Sequence, residues 1–160
     1  MPTASRQFWI GVVSREHVQL GVKGGFIQLG HGKKAPLQRL RGGDALVMYS
    51  PRTRHPTGEA LQSFTAIGVI STGKVYQVEM TDDFKPYRVD VGFLEAREAP
   101  IKPLINGLSF IKSKTHWGAA FRFGQIKIPA KDFKLIAKAM GVESAFRGNA
   151  LQPARRQGAS

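Results

Sequence analysis

Cysteine is absent from this chain of 160 residues. Its absence excludes a disulfide scaffold, thiol catalysis and every zinc site built on thiolates. With nothing pointing to an oxidising compartment, a cytoplasmic protein is expected. Long apolar runs are also missing. The longest near the start, residues 8–13, is too short for a signal-peptide core, and no later stretch approaches the ~18 residues of a membrane span. A soluble protein with no membrane partner is therefore expected. Acidic residues are scarce, 11 Asp and Glu against 24 Lys and Arg, for a net charge of +13. Such a charge draws polyanions without specifying a site.

Several catalytic patterns are missing too. The four histidines, His17, His31, His55 and His116, include no pair at a metal-motif spacing, so no metal is expected. No Gly-x-Ser-x-Gly elbow and no Ser-x-x-Lys patch with its partners occurs, so no catalytic nucleophile is assigned. The segment Gly30-His31-Gly32-Lys33-Lys34 lacks the spacing of a phosphate-binding loop, and no cofactor is expected. Asp82 and Asp83 precede Phe84 and Pro86 in what reads as an exposed turn rather than an acid/base pair.

What the chain does contain is an ordinary globular composition, 42% hydrophobic and 22% charged, with 18 Gly and 9 Pro. This suits one turn-rich domain able to bury about 68–70% of its unfolded surface. Residues 7–13 read as a buried strand, 15–25 as a single helical turn soon broken by Gly21, Gly24 and Gly25, and 36–40 as a short helix. Residues 45–50 form a further strand. Runs 61–70 and 75–80 read as a hairpin joined through Gly73, and 87–93 alternates as a strand with one wet face. A short helix fits 100–107, a Lys-containing loop 109–118, and a last strand 124–128. Phe133, Ile136, Ala137 and Met140 stand at i, i+3, i+4 and i+7, with Gly141 placed to cap the helix. The fold class is α+β: a partly closed barrel of five to six mostly antiparallel strands, with short helices and a C-terminal helix. Residues 1–6 are a short lead, 7–141 the domain, and 142–160 an expected mobile tail.

Charge is unevenly placed. Residues 1–55 hold nine Lys or Arg against Glu16 and Asp44, and 102–140 hold eight against Asp132 alone. An acidic segment, 79–98, separates them. Two readings stay open: a phosphate-tracking surface or a solvated basic face. Aromatic residues at strand ends, Trp9, Phe26, Tyr49, Tyr87, Phe110 and Trp117, accompany Ser14, Gln28, His31, Ser50 and Arg88. Rings beside a few hydrogen-bonding groups can stack a flat base and read its edge, although any one ring can equally be core.

The order of motifs carries a resemblance. Phe8-Trp9-Ile10, Val13-Ser14 and His17-Val18 are followed by Gly24-Gly25-Phe26-Ile27-Gln28-Leu29 and His31-Gly32-Lys33-Lys34-Ala35-Pro36-Leu37. Then come Gly43-Asp44, Tyr49-Ser50-Pro51, Phe64-Thr65-Ala66-Ile67-Gly68, Tyr87-Arg88, Pro103-Leu104-Ile105, Trp117-Gly118 and Phe121-Arg122-Phe123-Gly124. Over about residues 7–141 the chain resembles the EVE domain of the PUA-like superfamily. The resemblance implies a PUA-like pseudobarrel and kinship with the YTH domain, which reads a methylated base in an aromatic cage. In the YTH pattern the first strand ends in Lys-Ser and a Trp wall follows; here Ser14 matches the Ser, Val13 replaces the Lys, and the wall falls near Phe26. It implies a non-catalytic reader of a modified base in DNA or RNA, with room for a separately encoded effector enzyme as a further partner. Ser14 and Gln28 would meet the base edge, Phe26 with Tyr49 or Trp117 would stack on it, Arg88 would anchor it, and Ser50 would belong to the same base-binding set. Lys33, Lys34, Arg52 and Arg54 would contact phosphates. Two other functions remain open: an RNA-binding domain acting through shape and charge without a base pocket, and an enzyme on a small anionic or nucleotide-like molecule using His17, His31 or Lys33 as acid/base.

Overall fold

Buried β-branched and aromatic runs place the strands where the sequence expects most of them, and the result is a mixed sheet curled into a half-barrel. The computed structural model describes residues 5–146. In chain order the elements are β1 (Phe8–Val12), α1 (Arg15–Gly24), β2 (Phe26–Ile27), α2 (Ala35–Gln38), β3 (Ala45–Arg52), β4 (Ala60–Ile70), β5 (Tyr76–Gln77), β6 (Tyr87–Phe93), β7 (Ala99–Pro100), β8 (Gln125–Ile128) and α3 (Ala130–Ala139). Three 3-10 turns cover Lys102–Gly107, Trp117–Phe121 and Glu143–Phe146. The sheet runs β2-β6-β4-β3-β1-β8, with β5 on β6 and β7 on β4. Among the described residues the five longer strands, β1, β3, β4, β6 and β8, answer to the expected five to six, and β2, β5 and β7 are added two-residue pieces too short to leave a periodic signature. All pairs are antiparallel except β1 with β3.

Both faces of the central strands are covered. Ile10, Val47 and Tyr49 point into a core shared with Phe133 and Ile136 of α3. Trp9, Leu46 and Met48 point into a second core with Val18 of α1 and Leu37 of α2. That alternation is the period of two of a strand. Phe133, Ile136, Ala137 and Met140 are all buried, as their spacing predicts. The helix ends with the Gly141 N–H donating to Lys138 O at 3.0 Å and the Val142 N–H to Ala137 O at 2.9 Å, a Schellman pattern. The folded unit continues beyond residue 141, since Phe146 is buried with its ring 4.9 Å from that of Phe133. The remainder of the expected tail, 147–160, and residues 1–4 of the lead lie outside the described residues. Among the described residues no helix is long and apolar enough to cross a membrane.

Two expectations are corrected. Residues 15–24 form ten residues of helix rather than one turn. Gly21 is not a breaker there but a contact point: a Cβ on it would lie 2.4 Å from the carbonyl oxygen of Phe26, so only glycine lets α1 press against β2. Gly21→Ala is accordingly expected to cost about 1–3 kcal/mol, whereas Gly118→Ala, with open space around the added carbon, should leave the urea midpoint unchanged. Equal midpoints for the two variants would contradict the close packing of α1 on β2.

The hairpin of 61–70 with 75–80 does not form. The flank of β4 is taken by β6, in the register Gly68↔Phe93, Val69↔Gly92 and Ile70↔Val91, and β5 pairs with β6 instead. A Cβ on Gly68 would lie 2.4 Å from Gly92 O, so a glycine on β4 admits β6 where a larger residue would hold it off. A local turn signal cannot reveal such a long-range pairing.

Candidate functional site

The parallel pair β1 and β3 ends on one side of the sheet, and the chain leaves β1 at Ser14 and β3 beyond Arg52. A cleft of about 540 Å³ lies at these ends, between the start of α1, the segment after β2, the turn before β6 and the approach to β8. That volume falls in the range of small-ligand sites, about 300–1,000 Å³.

Ser14 caps α1, its hydroxyl accepting from the His17 N–H at 3.4 Å. The N-terminus of a ten-residue helix, with its partial positive charge, therefore borders the cleft. The Glu16 N–H donates to Thr53 O at 3.0 Å and ties this corner to the chain leaving β3. Ser14 keeps its hydroxyl proton for a donor role.

Gln28 also lines the cleft. Its side-chain oxygen accepts from Arg88 Nε at 2.6 Å, which leaves the amide N–H groups to donate outward. Arg88 in turn lies over the Phe26 ring, its guanidinium carbon 3.8 Å from the centroid. Phe26 and Arg88 thus form a stacked pair behind Gln28. They border a neighbouring hollow of only about 50 Å³ rather than the main cleft. Arg88 positions Gln28, and one face of Phe26 is already occupied.

The rings that do line the cleft are Phe84 and Phe123. Phe123 is 82% exposed and Phe84 37%, unusual for side chains that large. Sequence reasoning did not select either as a wall. Phe84 closes the tight turn around Asp82 and Asp83, where its N–H donates to Thr81 O at 3.2 Å. Phe123 follows Phe121 by two residues, and Phe121 is buried. The one available signal was that alternation, interrupted by Arg122 and Gly124.

Charge in the cleft has one sign. Arg52 and Arg122 line it, as do His17, His31 and His55, and among the described residues no Asp or Glu does. The His31 and His55 rings lie 5.9 Å apart. His31 has φ 62°, a left-handed conformation uncommon for a residue with a Cβ. Arg52 donates from Nη1 to Gly58 O at 2.9 Å, which fixes one arm of its guanidinium. Lys33, Lys34 and Arg54 are exposed on the same two loops that carry His31 and His55, outside the lining itself. Among the described residues, no His/Cys/Asp/Glu cluster is grouped to hold a metal.

Tyr49, Ser50 and Trp117 are not brought to the cleft. Tyr49 is 2% exposed and its ring stacks on Phe121 at 4.1 Å, so its stacking partner is the core itself. Burial holds its phenol protonated far above the usual range. Ser50 is fully buried and shares a hydrogen bond of 2.8 Å with Thr65. Trp117 packs edge-on toward Phe121 at 6.4 Å, beside the α3 core. Tyr49 and Trp117 lie in or against the α3 core, on the side of the sheet opposite Trp9, Leu46 and Met48. The basic count of 102–140 also overstates what is free, because Lys114 donates to Ile105 O, Leu108 O and Ile111 O at 2.8–3.1 Å.

The sequence matches the EVE domain profile over residues 7–139. It is 50% identical over 135 residues to a UPF0310 protein of Mycolicibacterium gilvum, covering 84% of this chain and 96% of that one. A UPF0310 protein of Bacillus subtilis is 46% identical over 135 residues, covering 84% and 92%. Among solved structures, the fold is similar to the YTH domain of a Zygosaccharomyces rouxii protein determined in complex with N6-methyladenosine RNA. The TM-score is 0.55 at 16% identity, covering 86% of this chain and 88% of that one. A protein of Agrobacterium tumefaciens gives a TM-score of 0.54 at 8% identity, covering 92% and 99%.

Proposed function

This chain belongs to the EVE domain family, and from that premise we propose that it is a non-catalytic nucleic-acid-binding module whose strand-end cleft accepts one modified base. The observation that carries this is the composition of the cleft: two exposed phenylalanines, two hydrogen-bonding groups held in place, and arginines and histidines with no carboxylate among them. Exposed rings stack on a base whatever its identity, worth about 1–3 kcal/mol per base. Ser14 and Gln28 then offer directed donors to its edge, and Arg52 and Arg122 face the phosphates, with Lys33, Lys34 and Arg54 at the periphery. Kinship in fold with a domain solved on N6-methyladenosine RNA supports base binding.

A binding role suits the histidines better than acid/base chemistry. A general base is normally oriented by a second group, and among the described residues no carboxylate lines the cleft beside His17, His31 or His55. Matched DNA and RNA strands in the same binding assays distinguish the two backbones.

Salt dependence tests the nucleic-acid reading. If about four phosphates are neutralised, log K for a single strand should fall against log salt with a slope near −3. Phe123→Ala should weaken binding about 5- to 100-fold at every salt concentration without changing that slope. A slope near zero, or an unchanged affinity in the variant, would contradict the proposal.

A further inference from the structure

Phe123 borders two hollows, not one. Beyond the cleft, on the far side of Gly30, lies a groove of about 520 Å³ whose lining includes Gly30, Pro36, Arg39, Phe123 and Gln125. Gly30, Phe123 and Gly124 belong to both linings, so they form the ridge between cleft and groove. The groove is built as firmly as the cleft. Gln125 Nε2 donates to Pro36 O at 2.7 Å and joins β8 to α2. Arg39 Nη1 donates to the side-chain oxygen of Gln125 at 3.4 Å. The Arg39 guanidinium carbon also lies 5.9 Å from the Trp9 ring centroid. Arg39 is exposed, and among the described residues it is the one charged residue of the groove lining, with no carboxylate beside it.

We infer that the groove beside Arg39 is a second nucleotide subsite, so that the protein binds two consecutive nucleotides across Phe123 rather than an isolated base. This rests on the reading of the cleft as a base site. A ring this exposed, with a hollow on each side of it, can stack on the base in the cleft and on its neighbour in the strand. Both hollows carry an arginine, Arg122 or Arg52 in the cleft and Arg39 in the groove, so the backbone joining the two bases meets positive charge at either end. A groove lined by Pro36, the Phe123 ring and Arg39 suits a flanking base of any identity, held by stacking and charge rather than by edge reading.

The test is an NMR titration of the full chain with adenylates of one, two and three nucleotides, each in ribo and deoxy forms and each with N6-methylated and unmodified adenine. The wild type is expected to bind the dinucleotide about tenfold more tightly than the mononucleotide, with little added by the third. Arg39→Gln should remove most of that gain and leave mononucleotide affinity within about twofold. Lys131→Gln, an exposed charge on α3, should keep the full gain. Equal affinity for one and two nucleotides, or a gain that survives Arg39→Gln, overturns the second subsite while leaving the cleft as a base site. Absence of binding at every length overturns the cleft reading and the subsite together.

Discussion

Replacing Arg52 and Arg122 together by Glu is expected to weaken binding of a single-stranded oligonucleotide by at least about 100-fold. Among the described residues, the cleft lining holds these two arginines as its permanent cations and no acid. Reversal therefore converts attraction into like-charge repulsion at the point where the backbone enters, an effect of several kcal/mol at an interface, and each 1.4 kcal/mol is tenfold in affinity. Both side chains are exposed, so the fold should survive. Arg122 hydrogen-bonds through its backbone to Ala119 O at 3.3 Å, and Arg52 through its side chain to Gly58 O at 2.9 Å. The comparison is a fluorescence anisotropy titration of the double variant against a variant reversed at Lys131 and Lys138 on α3. Equal losses in the two would assign binding to overall charge instead of to the cleft.

The second large effect concerns stability. Asp44 is 2% exposed, and its carboxylate accepts from the Gln7 N–H, the Trp9 indole N–H and the Arg41 N–H, each at 3.0 Å. It joins the start of β1 to the turn entering β3, the two parallel strands whose far ends frame the cleft. Arg6 lies close enough to feel its charge: burial lowers the Arg6 pKa and Asp44 opposes that shift. Asp44→Ala strands three donors and removes the counter-charge, for an expected loss of about 3–5 kcal/mol. Typical domains have only about 5–15 kcal/mol in all. Urea unfolding should show a large drop in midpoint with little change in slope. A loss below about 1 kcal/mol would mean that the three donors find other partners and that Asp44 does not organise the β1–β3 corner.

Elements with a strong period were readable from the sequence alone. Strands β1, β3, β6 and β8 and helix α3 stand where apolar patterning put them, because burial on a fixed face selects residue types at two or 3.6 residues per repeat. The full length of helix α1 is not legible locally, because Gly21 and Gly24 weigh against helix, while their actual use is contact with β2 and with the Phe26 ring. The β4–β6 pairing was hidden by a nearer and equally plausible partner. The hydrogen bonds of Asp44 to Gln7 and Trp9, 37 and 35 positions away, leave no trace in local sequence.

The site was readable in part for a related reason. Ser14, Gln28 and Arg52 lie at strand ends or beside them, and the structure brings these three to one cleft. Tyr49 and Trp117 are aromatic residues of the kind a pocket uses, yet alternation on β3 sends Tyr49 to the α3 core, and Trp117 joins it there. Phe84 and Phe123 sit in turns, where a ring has no periodic neighbour to mark it, and only exposure in the folded chain singles them out.

The most direct test of the cleft as a modified-base site is a competition among matched DNA and RNA oligonucleotides that differ only in one methylated or hydroxymethylated base, at fixed salt, with wild type and Phe84→Ala, Phe123→Ala and Gln28→Ala variants. The account predicts one preferred modification, with the preference reduced in each phenylalanine variant and altered in Gln28→Ala. Equal binding to every strand, unchanged in all three variants, would contradict it.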